Sequence, residues 1–127
     1  MQVVLYIKFT ENNSGWDFEC QHGPRECEGN KVQACILDQV TKDDEYVPLI
    51  SCMMASDDPP TAADVCLDEM EITSTTPDNI AACAQSDEGS NLLHDIGVET
   101  ENLDPSLYFV PWILFNDVIV IALLRSL

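Results

Sequence analysis

Three of the six cysteines of this 127-residue chain lie in one short stretch, CQHGPRECEGNKVQAC, which runs from Cys20 to Cys35. Cysteine and histidine side chains this close together could support thiol–disulfide chemistry or hold a zinc ion. Structural zinc sites usually use cysteine pairs about two to four residues apart, and the spacing of Cys20, His22, Cys27 and Cys35 is wider. We therefore expect no metal and no other cofactor. His22 could donate a proton near a thiol or orient the loop by hydrogen bonding, and we favour the second role.

Thiol–disulfide exchange requires a redox-active pair of thiols. One thiolate attacks a disulfide, a second thiol resolves the mixed disulfide, and a C-x-x-C at a helix N-terminus supplies both. No C-x-x-C occurs in the sequence, and six residues separate Cys20 from Cys27. We therefore expect no catalytic residue in this chain.

The Cys20–Cys35 stretch fits the pattern C-Q-H-G-x-x-E-C-x-x-N-x-x-x-x-C at all eight fixed positions. The matching residues are Cys20, Gln21, His22, Gly23, Glu26, Cys27, Asn30 and Cys35. The chain thereby resembles the gamma-interferon-inducible lysosomal thiol reductase family, in which a C-x-x-C upstream of this signature does the chemistry. The resemblance implies a thioredoxin-like fold, reduction of disulfides in protein substrates at acidic pH, and a lysosomal or secreted location.

A second segment, residues 108–113, is similar to the family's Y-V-P-W-[VI] sequence, with Phe109 as an extra residue. Thioredoxin-like folds place a cis-proline opposite the redox pair. The resemblance therefore implies that Val110 and Pro111 belong to a substrate-binding groove, with Trp112 packed in the core. The alternative is an ordinary trans proline in an edge strand.

The cysteines also indicate how the chain is held together. A density of about one cysteine in twenty residues favours an oxidising compartment and a disulfide-stapled fold. Six cysteines allow fifteen connectivities, of which a local Cys20–Cys27 bridge is the pairing we favour. The other four lie on apolar helix faces and are expected to form structural disulfides. These are Cys35, Cys52, Cys66 and Cys83.

Strand patterns enclose a long helical region. Residues 3–9 are rich in β-branched and aromatic side chains and predict a buried strand, followed by a polar turn at 11–15. Residues 108–115 and 118–122 flank Asn116-Asp117 and predict a C-terminal β-hairpin. The predicted class is α/β, an incomplete thioredoxin-like fold of one strand, about four helices and this hairpin. We expect a single domain over 1–127, with a disulfide-stapled helical insertion at about 24–97.

Periodicity and capping signals divide this insertion into helices. The first is expected over about 24–40, and Asp43 or Asp44 is expected to cap the second. Thr61 with Asp64 resembles a capping box, opening a third helix with Val65, Cys66 and Met70 facing inward. Residues 76–77, a Thr-Pro pair, open a fourth helix that continues to about residue 97, with a weak point at Gly89.

The amino-acid composition argues against some classes of binding partner. The formal charge of −18 repels phosphate backbones and anionic membranes, so we expect no nucleic-acid partner. No membrane insertion is expected either, because Pro111, Asn116 and Asp117 interrupt the apolar residues 107–124. The N-terminus lacks a signal-peptide pattern. Asn12-Asn13-Ser14 is a glycosylation sequon, which makes Asn12 a candidate glycosylation site.

Three functions fit these observations. The chain could be part of a thiol reductase, truncated at the N-terminus before the C-x-x-C and inactive alone. It could be a non-catalytic, secreted, disulfide-stapled binding module. It could also be a non-functional product of truncation. A C-x-x-C encoded upstream would favour the first, and cooperative unfolding would separate the other two.

Overall fold

The computed structural model describes residues 7–103, 114–115 and 118–119. Within these residues, a β-hairpin comes first and is followed by five helices and a short 3-10 turn. The elements are β1 (Ile7–Asn12), β2 (Gly15–Cys20), α1 (Pro24–Gln39), α2 (Asp43–Ala55), the 3-10 turn (Pro59–Thr61), α3 (Ala63–Glu69), α4 (Pro77–Ala84), α5 (Asp87–Glu101), β3 (Leu114–Phe115) and β4 (Val118–Ile119). The predicted mixed α/β class is confirmed.

The first sheet is an antiparallel pair in which Ile7 lies opposite Cys20 and Asn12 lies opposite Gly15. Asn12 Oδ1 accepts a hydrogen bond of 2.8 Å from the Ser14 backbone N–H, which tightens the two-residue turn. We predicted a longer turn and no second strand. The pattern of β2 was missed because it runs directly into the cysteine stretch, although Trp16, Phe18 and Cys20 alternate with acidic residues.

The predicted position of the hairpin was also wrong, because the longer hairpin of the described chain is N-terminal. Near the C-terminus the structure describes only the two-residue strands β3 and β4, in which Leu114 pairs with Ile119 and Phe115 with Val118. The remainder of that predicted hairpin lies outside the described residues. Residues 3–6 of the predicted first strand lie outside them as well.

Helix α1 is the central element of the described fold, and the prediction of a helix at 24–40 is confirmed. Pro24 occupies its first turn, where the missing N–H costs nothing. The helix contacts β2, α2, α4, α5 and the 3-10 turn. Its middle is therefore buried, and Cys35 and Ile36 have no exposed surface.

The prediction for α3 was wrong in two respects. Thr61 does not cap the helix, because it lies in the 3-10 turn and its hydroxyl donates to Asp58 Oδ2 at 2.7 Å. Cys66 faces inward as predicted, but Val65 and Met70 point outward with exposures of 60% and 39%. The buried positions are those of Ala63, Cys66 and Leu67, so the apolar face is rotated from the one we expected.

The predicted fourth helix is two helices. A helix begins at the Thr76-Pro77 pair as predicted, and the Thr76 hydroxyl caps α4 by accepting a 3.1 Å hydrogen bond from the Asn79 backbone N–H. The chain then breaks at residues 85–86, and α5 packs against α4. Gly89 is the contact point, because a Cβ there would lie 2.4 Å from the Cys83 carbonyl oxygen. Gly89 therefore permits close helix packing and is not the site of the break.

Two hydrophobic clusters form the core. The larger lies among α1–α4 and includes Ile36, Leu49, Met53 and Ile80. The smaller joins the hairpin to α1 and α5 and includes Ile7, Leu93, Cys20 and Cys27.

Three disulfides connect these elements. They are Cys20–Cys27 between β2 and α1, Cys35–Cys83 between α1 and α4, and Cys52–Cys66 between α2 and α3. The Cys20–Cys27 bridge is the pairing that the sequence analysis favoured. Because the other two join separate helices, most of the helical region is covalently cross-linked.

Candidate functional site

The signature turn, residues 20–27, connects β2 to α1 and carries six of the eight signature residues. The Gly23 backbone N–H donates to the Cys20 carbonyl at 3.1 Å, and the Gly23 carbonyl accepts from the Glu26 N–H at 3.2 Å. Gly23 has φ 97°, a left-handed conformation that strains residues with a Cβ. This geometry explains why the position holds glycine.

The Cys20–Cys27 disulfide closes the turn. Both residues are buried, and their Cα atoms are 5.6 Å apart. Asn30, one helical turn further along α1, donates from Nδ2 to Cys20 Sγ at 3.6 Å. Its side chain is also buried. Asn30 therefore contacts the disulfide through a buried hydrogen bond, which is a structural role for this signature residue.

His22 and Glu26 form the second internal contact of the signature turn. The His22 backbone N–H donates to Glu26 Oε1 at 3.4 Å, and His22 Nδ1 pairs with Glu26 Oε2. Glu26 lies in the first turn of α1, where the helix dipole favours a negative charge. The His22 side chain is 70% exposed. His22 therefore contacts Glu26 through both its backbone and its side chain.

One side of the signature turn opens into a depression of about 280 Å³ between α1 and the end of α2. His22, Glu26 and Asn30 line it from the signature. Met54 lines the opposite wall, and its sulfur accepts a 3.0 Å hydrogen bond from Gln33 Nε2. The remaining lining residues are Arg25, Gly29, Gln33, Asp57, Asp58, Pro59 and Pro60. Three signature side chains thus share one cavity.

Ion pairs close the rim of this depression. The Arg25 guanidinium donates to both carboxylate oxygens of Asp58, at 2.8 and 2.6 Å, and also pairs with Glu28. Hydrogen bonds to Glu28 and Asp58 raise the pKa of Arg25. The Thr61 hydroxyl and Arg25 lower the pKa of Asp58. These contacts hold the 3-10 turn against α1.

The depression contains no free thiol, because all six cysteines are paired in disulfides. For the same reason Cys20, Cys27 and Cys35 are not available as zinc ligands. Within the described ranges, no group of three or more His, Cys, Asp or Glu side chains could hold a metal ion. The predicted substrate-contacting residues, Val110 and Pro111, lie outside the described residues.

A cluster of rings, which we call the aromatic clasp, was not predicted. The Trp16 and His94 rings stack with centroids 3.7 Å apart and an interplanar angle of 9°, and Phe9 meets both edge-on. Trp16 Nε1 also donates to Asn91 Oδ1 at 3.2 Å. The alternation of Trp16 with acidic neighbours could have indicated a strand. Nothing local indicated that His94 would be its partner.

These observations define an α/β protein in which three disulfides link helices to one another and to a β-hairpin. A sequence model of the family described as gamma interferon inducible lysosomal thiol reductase (GILT) matches residues 1–70. That match covers more than half of the chain. The protein therefore belongs to the gamma-interferon-inducible lysosomal thiol reductase family.

Curated relatives are similar over most of the chain. The gamma-interferon-inducible lysosomal thiol reductase of Mus musculus is 36% identical over 117 residues, which are 91% of this chain and 46% of the relative. The protein of the same name from Carassius auratus is 35% identical over 84% of this chain and 41% of its own. GILT-like protein 1 of Drosophila melanogaster is 35% identical over 87% of this chain and 48% of its own. The chain spans about half the length of these relatives.

The length and hydrophobicity of the helices show whether any of them could span a membrane. In the part of the chain that the structure describes, none of them is both long enough and apolar enough to cross a bilayer.

Proposed function

We propose that this chain is part of a thiol–disulfide oxidoreductase that reduces protein disulfides at acidic pH, in a lysosomal or secreted setting. The observation that carries the proposal is the signature, since its eight residues match and six of them form one disulfide-closed turn. Relatives named as lysosomal thiol reductases support the reaction class and the compartment. In this proposal the fold is thioredoxin-like, and Val110 and Pro111 contact the substrate.

The chain alone is inactive in this proposal. Reduction of a disulfide needs a free thiolate as the attacking group. The sequence contains no C-x-x-C, and its six cysteines are already paired. The nearest pair, Cys20–Cys27, is buried and joins β2 to α1. Such a bridge fits a structural role better than a catalytic one.

Activity is tested with the purified chain, a denatured disulfide-containing protein and a non-thiol reductant at an acidic pH of about 4.5, close to the reference pKa of glutamate. We expect no turnover above the rate without protein. A matched pair of variants, Cys20→Ser and Cys52→Ser, controls for trace activity. Turnover that is lost in Cys20→Ser but retained in Cys52→Ser would make the Cys20–Cys27 pair catalytic and overturn the proposed inactivity.

The reductase assignment itself is tested at the 5′ end of the transcript. An in-frame C-x-x-C that follows a strand pattern would support it. If the transcript encodes no such pair, the reductase proposal fails.

The second candidate is a non-catalytic binding module stapled by disulfides. The observation that favours it is the complete pairing of the cysteines, since a scaffold with no free thiol can bind but cannot reduce. This candidate predicts saturable binding of a protein ligand together with a transcript that lacks the C-x-x-C.

We also propose that Asn12 carries an N-linked glycan. Asn12 is exposed at the turn of the N-terminal hairpin, and Ser14 Oγ lies 3.2 Å from Asn12 Oδ1. Expression through a secretory pathway should give a mass that falls on glycosidase treatment. The Asn12→Gln variant should lack this fall, and an unmodified wild-type chain would contradict the proposal.

A further inference from the structure

Large apolar side chains are exposed in one region of the described chain. Met54 and Val65 are each 60% exposed and Met70 is 39% exposed, and no other large hydrophobic residue of the described ranges is exposed. All three lie where α2 ends and α3 follows. Met54 lines the depression beside the signature turn, whereas Val65 and Met70 line one common groove. Single exposed apolar residues are ordinary on protein surfaces, but neighbouring ones in a groove are a candidate interaction site.

Two of these side chains line a groove of about 620 Å³, which we call the α2–α3 groove. Its walls include Ala55 at the end of α2, Val65 in α3, and Met70, the residue that follows α3. The Cys52–Cys66 disulfide crosses it and fixes the two helices relative to each other. A groove held by a covalent bridge is formed before a ligand arrives, which reduces the ordering cost of binding.

The charged residues in the lining of this groove are both acidic. Asp58 and Glu69 lie in its lining, and Glu69 Oε2 is 3.8 Å from Cys52 Sγ. Arg25 offsets part of the charge of Asp58. No lysine or arginine occurs in the sequence between Lys42 and Arg125. A ligand with apolar and positively charged groups would therefore complement both the walls and the rim.

We propose that the α2–α3 groove binds a basic, amphipathic segment of another polypeptide. The apolar side chains of that segment pack on Val65 and Met70, and its lysine or arginine side chains face Asp58 and Glu69. Methionine adapts its shape to different partners, so the groove accepts segments of varied sequence. This proposal goes beyond the reductase function because it requires no thiol and no C-x-x-C.

The test measures binding of a fluorescent amphipathic peptide of leucine and lysine, about twelve residues long, to the full chain at neutral pH. Val65→Ser combined with Met70→Ser should weaken binding at least about tenfold, and Glu69→Gln about threefold. Met54→Ser removes an equally exposed side chain that does not line the groove, and binding should stay within about twofold of wild type. Higher salt should weaken binding by wild type.

Peptide variants and a size measurement provide the remaining outcomes. Replacing lysine by glutamate, or leucine by serine, should abolish binding if charge and apolar contact are both required. Equal binding by wild type and the Val65→Ser/Met70→Ser variant would show charge attraction only, which overturns the proposal. Absence of binding by wild type overturns it too. A dimer of the wild-type chain that this double variant abolishes would make a second copy the occupant, again against the proposal.

Discussion

The helical block of α1–α4 and the N-terminal hairpin on α5 are stabilised in different ways. In the block, Cys35–Cys83 and Cys52–Cys66 join helices directly. The hairpin, by contrast, meets α5 through the aromatic clasp and through contacts with Gly97, and its one disulfide joins it to α1. Segments far apart in sequence are covalently tied where the core is large. The hairpin packs on both α1 and α5, and it combines a short-range disulfide with ring and steric contacts.

The largest expected difference between the regions comes from removing a disulfide in each. The Cys35–Cys83 bridge spans 48 residues and Cys20–Cys27 spans 7. By loop-closure entropy, Cys35→Ala with Cys83→Ala should lower the free energy of unfolding by about 4 kcal/mol, and Cys20→Ala with Cys27→Ala by about 2 kcal/mol. Urea unfolding followed by circular dichroism measures both. Equal losses would show that loop length does not set the difference.

Glycine substitutions compare two steric contacts of α5, one with the helical block and one with the hairpin. A Cβ on Gly89 would meet the Cys83 carbonyl oxygen at 2.4 Å, and one on Gly97 would meet the Phe9 ring at 2.8 Å. Because a ring yields more easily than a helix backbone, Gly89→Ala should cost about 2–3 kcal/mol and Gly97→Ala about 1 kcal/mol. Both losses can be measured as shifts in the urea midpoint.

Gly29→Ala is the matched control for these two variants. Its Cβ would meet Pro60 at an ordinary 3.5 Å, so the substitution should raise the free energy of unfolding by up to about 1 kcal/mol through helix propensity. A cost for Gly29→Ala as large as that for Gly89→Ala would mean that helix packing in general, and not the contact with Cys83, is responsible.

A substitution at Glu71 should stabilise the helical block. Glu71 follows α3 with φ 54°, a left-handed conformation that is unfavourable for a residue with a Cβ. Glu71→Gly should therefore raise the melting temperature, with a gain of about 1 kcal/mol in the free energy of unfolding. Glu71→Ala removes the same charge and keeps the Cβ, so it should give no comparable gain. Equal effects of the two substitutions would assign the result to charge.

The smallest expected effect depends on pH and concerns the Arg25–Asp58 contact of the helical block. The pKa of Asp58 is lowered from 3.8 by the Thr61 hydroxyl and by Arg25. A lowered pKa contributes stability that is present above the ordinary value and is lost as pH falls through the lowered one. Asp58→Asn should therefore be slightly less stable than wild type at neutral pH, and the difference should shrink as pH falls below 3.8 towards the lowered pKa.

Asp57→Asn removes one negative charge at the neighbouring position and is the control for this measurement. Melting temperatures recorded from neutral pH down to about pH 3 compare the two variants. If both show the same pH dependence, the contacts of Asp58 with Thr61 and Arg25 contribute nothing specific.

Local patterns predicted much of the candidate site. Pro24 is typical of the first turn of a helix, and the two cysteines of the signature turn are close enough in sequence to pair. The start of a helix at Thr76-Pro77 was predicted from local sequence as well, and its cap uses Asn79, three residues away. Each of these features depends on residues within about one or two helical turns, where chain geometry restricts the choices.

The features that were missed depend on distant residues. The Trp16 indole meets Asn91, 75 positions away, and Arg25 meets Asp58, 33 positions away. The outward position of Val65 follows from which face of α3 packs against α2 and α4, which a seven-residue helix does not specify by itself. Spacing along the chain holds no information about such partners.

The sequence by itself determined the family signature, the short disulfide and the start of α1, because these involve neighbours whose geometry the backbone limits. Tertiary structure alone decided the pairing of the other four cysteines, the break before α5 and the α2–α3 groove. Those features arise when helices select one of several apolar faces to bury, and that selection depends on the shape of the whole core.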